Sequence, residues 1–200
     1  ASKILATTKS NTINGTKTTN PISKATFNSL KIYAGAISQR VKSSGDFGGT
    51  TLVAAFISNG VLWWISVGDS PLYLWRRGRL VRLNEDHSMR SVYMQYVQAG
   101  CLTFEEAVMR GHSLRSAVTG HAIELIDASA TPYPLLPGDR IILTSDGTDD
   151  LLYVAAIPES VKAIFEERTG NLSTRLVQAC CELDEPHADN VTVISMDWDN

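Results

Sequence analysis

The chain has 200 residues, 44% hydrophobic and 20% charged, a balance that excludes intrinsic disorder and a coiled coil. Its 18 Lys and Arg against 21 Asp and Glu leave a net charge of −3, so no basic footprint for nucleic acid or an anionic membrane is visible. Cys101, Cys180 and Cys181 are odd in number and two are adjacent, which predicts a reducing, cytoplasmic setting. No apolar run approaches the ~20 residues of a membrane span, and no apolar stretch near the start reads as a signal peptide.

Along the chain, Ala1 to Ala6 has helix-forming composition without a start signal, as for a helix begun upstream. Thr7 to Asn20 reads TTKSNTINGTKTTN, nearly devoid of apolar residues, and a mobile loop is expected there. Ala25, Leu30, Tyr33, Ala34, Ile37 and Val41 fall near i, i+3/i+4 spacing, which predicts an amphipathic helix between Ser23 and Val41. Thr51 to Ile57, the turn dipeptide Asn59-Gly60 and Val61 to Val67 read as a hairpin. Pro71 to Trp75, a solvated charged turn at Arg76, Arg77 and Arg79, and Leu80 to Leu83 extend it into an antiparallel meander.

Val92 to Gly100 and Thr103 to Arg110 are expected as short helices, the second with Thr103 and Glu106 in capping-box register. Strands follow at Ala122 to Ala128 and Asp139 to Thr144, helices at Pro158 to Glu167 and Ser173 to Cys181, and a closing strand at Val191 to Met196. Strands and helices fall in blocks, which predicts an α+β fold with antiparallel sheets and not a doubly wound one.

The chemistry-bearing residues gather at strand ends. The apolar strand through Ile141 runs directly into Asp146 and Gly147, and Asp150 lies one helical turn beyond, so both carboxylates can face one point. Asp189 precedes Asn190 and the final strand. Converging carboxylates repel unless a cation sits among them, and oxygen donors suit Mg²⁺ or Mn²⁺. Taken singly, each has a plainer reading: a tight turn at Asp146-Gly147, an acceptor for turn amides at Asp69, a helix cap with an exposed histidine at Asp86-His87-Ser88. His112 and His121 read as structural or surface residues, with His187 marginally more interesting for its closeness to Asp189. Trp63, Trp64 and Trp75 read as core and sheet face.

The combination says more than its parts. Gly48 to Ala54 (GGTTLVA), Val67 to Ser70 (VGDS), Leu83 to Ser88 (LNEDHS), Leu143 to Gly147 (LTSDG) and Asp189 to Ile194 (DNVTVI) together resemble the PPM/PP2C family of metal-dependent serine/threonine phosphatases, most of all its compact bacterial branch. The resemblance covers about three quarters of the chain. It implies a single domain over 1–200 built as an αββα sandwich, two antiparallel sheets flanked by helices, with a helical flap over 89–120. It further implies a binuclear Mn²⁺/Mg²⁺ centre at one end of the sandwich. Asp146 and Asp189 match acids that ligate one metal of the pair; Asp86 and Asp150 match acids that, with Asp146, hold a third. Asp69 matches a position read as structural.

Two family elements are not in this sequence: an early Glu-Asp turn with a phosphate-gripping arginine, and an Asp-Gly-Met-Gly-Gly stretch whose Asp bridges both metals. Ala1 to Leu5 resembles the helix after that stretch, so the domain is expected to be incomplete at its N-terminus. The activity implied is hydrolysis of phosphoserine and phosphothreonine in proteins by a metal-activated water, with no phosphoenzyme. Weak metal affinity and little turnover are expected from these residues alone. The alternative is a catalytically inactive phosphatase-like module that binds or regulates a partner. The partners implied are phosphorylated proteins and a Ser/Thr kinase or its substrates, with no nucleic acid, for a monomeric bacterial signalling protein.

Overall fold

The computed structural model describes residues 2–9, 36, 39, 49–153, 157–183 and 189–199. The strands are β1 (Ser2–Lys9), β2 (Thr50–Ser58), β3 (Val61–Val67), β4 (Leu72–Arg76), β5 (Arg79–Arg82), β6 (Asp127–Ala128), β7 (Tyr133–Pro134), β8 (Asp139–Thr144) and β9 (Val193–Trp198). The helices are α1 (Met89–Gln98), α2 (Phe104–Arg110), α3 (Asp149–Leu152), α4 (Glu159–Glu166) and α5 (Leu172–Glu182), with a 3₁₀ turn at Asp146–Thr148. Of the helix expected between Ser23 and Val41, only Ala36 and Gln39 are described, both helical; its rest, residues 10–20 of the expected loop and His187 lie outside the described residues, while Thr7 to Lys9 of that loop belong to β1.

Two sheets form the centre of this α+β fold. One has the order β1-β2-β3-β6, with β7 also on β3; the other, β5-β4-β8-β9, is antiparallel throughout. The hairpin β2–β3 turns on Asn59 and Gly60, whose φ values of 51° and 75° match the right-handed twist of the strands they join. Where a helix was expected from Ala1 to Ala6, β1 instead lies parallel to β2, with Ser2 opposite Thr50 and Lys9 opposite Ile57. Local helix propensity is worth little against a full ladder of backbone hydrogen bonds on the edge of β2, and Ile4, Thr7 and Thr8 are β-branched.

Period-two alternation divides the strand residues between layers. Val53, Ala55 and Ile57 of β2, Leu72 and Leu74 of β4, and Ile141 and Leu143 of β8 meet in the core between the sheets. Tyr73, Trp75 and Ile142 point the other way and pack under Phe165 of α4 and Leu172 and Leu176 of α5, with Trp75 stacked on Phe165 at 4.9 Å. Leu52, Ile65 and Val67 close against Val118 on the outer face of the first sheet.

Arg140 is fully buried in β8. It donates to both carboxylate oxygens of Asp197, at 2.6 and 2.9 Å, and to the carbonyls of Phe165 and Glu167 at 2.6 and 2.7 Å, so it also satisfies the end of α4. The charged turn departs from expectation in one residue: Arg76, only partly exposed, donates to both oxygens of buried Asp139, at 2.8 and 2.5 Å. The strand expected over Ala122 to Ala128 shrinks to Asp127–Ala128, because Ser116 Oγ takes up both the N–H and the carbonyl of Leu125.

Between β5 and β6 stand α1, capped by Ser88, and α2, whose capping box pairs Thr103 with Glu106. Among the described residues the cysteines are free, Cys101 and Cys181 exposed and Cys180 buried, and no helix is long and apolar enough to cross a membrane.

Candidate metal centre

The end of β8 and the approach to β9 are stitched by one serine. Ser145 N–H donates to the Thr192 carbonyl, its Oγ accepts from Thr192 N–H, and the same hydroxyl donates to the Asn190 carbonyl, each at 3.0 Å. Thr148 Oγ1 bonds Thr144 Oγ1 at 3.0 Å and the Ser145 carbonyl at 3.1 Å, fixing the turn between them. Gly147 is required by proximity: a Cβ there would stand 2.6 Å from the Asn190 carbonyl oxygen and 3.0 Å from that of Asp189. Two strand ends far apart in sequence are thereby held close enough for Asp146 and Asp189 to face the same space.

That space is a cavity of about 560 Å³ whose wall carries Asp146, Asp150 and Asp189, with α1 and α2 forming the opposite side through Arg90 and Phe104. An adjoining cavity of about 400 Å³ shares Asp146, Asp189 and His112 and adds Asp69. Three of the four sequence-predicted acids therefore line one cavity. Asp86 lines none of these walls: its Oδ1 accepts from Ser88 N–H at 2.9 Å, and its Oδ2 stands 3.3 Å from Arg82 Nη1. It is still near enough for its charge to favour the protonated forms of Arg90 and Tyr153.

His87 is buried, where an exposed histidine was expected. Its Nδ1 accepts from Gly68 N–H at 3.2 Å, and burial pushes its pKa down, so it stays neutral and ties the segment before α1 to the Gly68-Asp69 turn. Asn84 completes that attachment, accepting from Leu72 N–H at 2.8 Å and donating to the Ser70 carbonyl at 3.0 Å.

Several residues at the site were not assigned to it from sequence. Asp69 read as an acceptor for turn amides, and His112 as a structural or surface histidine. Arg90 on α1 donates to the carboxylate of Asp149, and its Cζ lies 4.4 Å from the centre of the Tyr153 ring. Only the placement of Asp149 beside Asp150 hinted at this, since nothing in sequence spacing joins positions 90 and 149.

The donors on the shared wall are carboxylate oxygens, which fit a hard divalent cation in kind. In number they form a partial shell: among the described residues no three His, Cys, Asp or Glu side chains converge closely enough to hold an ion by themselves.

No family model matches the sequence. The chain is 32% identical over 168 residues to the serine/threonine protein phosphatase PstP of Mycobacterium tuberculosis, covering 81% of this chain and 30% of that protein. Among solved structures, PstP/Ppp of M. tuberculosis matches with a TM-score of 0.64 at 29% identity, over 88% of this chain and 72% of that one. The PstP catalytic domain in complex with two manganese ions matches at 0.62 and 29%, over 84% and 68%. The PPM phosphatase MsPP of Mycobacterium smegmatis, in complex with cacodylate, matches at 0.63 and 28%, over 84% and 72%. Two sheets flanked by helices are the architecture these proteins share. The chain is similar to serine/threonine phosphatases of the PPM/PP2C type in their compact bacterial form, and spans 30% of the length of its curated relative.

Proposed function

We propose that this fold serves metal-dependent hydrolysis of phosphoserine and phosphothreonine in proteins. The observation that carries the reading is the delivery of Asp146 and Asp189, from two strand ends, to one cavity by the Ser145 and Gly147 contacts. Solved relatives hold two manganese ions in one case and cacodylate, a phosphate-like anion, in another. In this assignment Asp146 and Asp189 ligate one ion of a Mn²⁺ or Mg²⁺ pair and Asp150 serves a third, while Asp86, expected beside it, stands back from the cavity with Arg82. Bound metal supplies an acidified water and polarises phosphoryl oxygens. The chain's own part is to fix the carboxylates on rigid strand ends and to screen the site with α1 and α2. The partners in this reading are phosphorylated proteins and the kinase that marks them, met in the cytoplasm by a monomer.

The second reading is a phosphatase-like module that binds without turnover, favoured by the partial ligand shell among the described residues. Mn²⁺-dependent hydrolysis of p-nitrophenyl phosphate, measured beside Asp146→Asn and with a chelator, separates the two. Weak turnover lost in both controls supports the enzyme. Turnover indifferent to Asp146→Asn would remove the site assignment. Absence of turnover, with no Mn²⁺ bound in a paramagnetic resonance titration, would leave the module.

A further inference from the structure

The inner wall of the large cavity is acidic, but its outer half has a mixed character that phosphoryl chemistry does not use. Helix α2 presents Glu105, Val108 and Met109 at i, i+3 and i+4, one face of the helix, and all three line the cavity. Met109 is 75% exposed, a large apolar side chain left in water at the rim. Phe104 lies against Tyr153 with ring centres 6.1 Å apart and planes inclined by 18°, giving the floor a flat aromatic surface. Glu105 and Asp150, both exposed, stand at its edges.

Charge decides what such a surface accepts. The lining carries five carboxylates, Glu105, Asp146, Asp149, Asp150 and Asp189, against the guanidinium of Arg90, which is already paired with Asp149. With Asp146, Asp189 and Asp150 assigned to metal, Glu105 remains as exposed negative charge beside an apolar and aromatic floor. A long side chain with an apolar stem and a cationic head matches both properties: the stem covers Val108, Met109 and the rings, and the head reaches a carboxylate. We propose that the outer half of the cavity is a recognition subsite for a lysine or arginine flanking the phosphorylated residue of the substrate protein. For the phosphorylated substrate this rests on the phosphatase reading above; the preference for a basic flank does not.

The test is binding of labelled phosphothreonine peptides to the full chain, followed by fluorescence anisotropy, with the peptides identical except for Lys, Ala or Glu beside the phosphothreonine. The Lys peptide is expected to bind about ten-fold tighter than the Glu peptide at low salt, with the difference shrinking at high salt as exposed charges are screened. Glu105→Lys, a change at an exposed helical position, is expected to invert the order. Equal binding of the three peptides, binding of none, or an order unchanged in Glu105→Lys would overturn the proposal. So would loss of peptide binding as the chain is concentrated, which would mark a second copy as the occupant. Phosphate release from the same peptides in Mn²⁺ keeps the two readings apart. Selective binding without release sinks the phosphatase reading and leaves the subsite; release without selectivity does the reverse.

Discussion

Arg90 and Asp149 join the two halves of the site. Arg90, the second residue of α1, donates through Nη1 to Asp149, the first residue of the helix that follows the Asp146 turn, and so ties the helical pair to the acid-bearing strand end. Arg90 is only 4% exposed. Burial raises the pKa of the Asp149 carboxyl, and the guanidinium opposes that shift. Among the described residues Arg90 Nε and Asp149 Oδ1 are buried without hydrogen-bond partners, so within them the pair is only partly satisfied. A partly satisfied buried ion pair adds little net stability over an apolar contact, and its evident effect is to fix where α1 lies.

Removing one partner should therefore cost far more than removing both. Arg90→Met strands the Asp149 carboxylate in a site that disfavours its charge, and a loss of about 3 kcal/mol is expected in urea unfolding. Asp149→Asn should cost less, and the double variant should fall well short of the sum of the two. Additive losses would mean that the residues act independently, contrary to their contact.

Gly147→Ala probes the approach of the two strand ends. The new Cβ would stand 2.6 Å from the Asn190 carbonyl oxygen, a backbone atom that can retreat only by moving the segment carrying Asp189. The expected cost is about 1–3 kcal/mol of stability. Mn²⁺ affinity, read by paramagnetic resonance, should fall together with it, because the same shift parts Asp146 from Asp189. Wild-type stability in the alanine variant would show that the two ends move apart freely.

What the sequence disclosed is what local physics controls. Asn59-Gly60 fixes its hairpin through two positive φ angles, and Thr103 and Glu106 close their capping box within one turn, so both could be read from neighbours in the chain. The spacing of Asp146 and Asp150 likewise predicted a shared direction, and both line one cavity. The misreadings are all tertiary. The β1 segment is a strand because β2 offers it an edge, which its composition does not record. Arg76 finds Asp139, and Arg90 finds Asp149, across about sixty intervening residues, and no periodicity links such positions. His87 looked exposed because its neighbours in sequence are polar, although its ring is buried and accepts from Gly68 N–H.

The pairing of Arg140 with Asp197 gives an acid limb to stability. Hydrogen bonds from the Arg140 guanidinium hold the Asp197 carboxyl below the ordinary carboxylate range. The unfolded chain takes up that proton more readily than the folded one. The stabilisation is therefore present in full above the unfolded carboxylate pKa of about 4 and is lost as pH falls through the lower folded value. Asp197→Asn removes this titration and takes a charged acceptor from fully buried Arg140, which keeps its bonds to the Phe165 and Glu167 carbonyls. The variant should be less stable at neutral pH by about 2–3 kcal/mol. Its urea midpoint should then fall less steeply than that of the wild type on acidification, so that the two curves converge. Curves that stay parallel down to about pH 3 would mean that Asp197 titrates alike in the folded and unfolded chains, and that Arg140 is held by the α4 carbonyls alone.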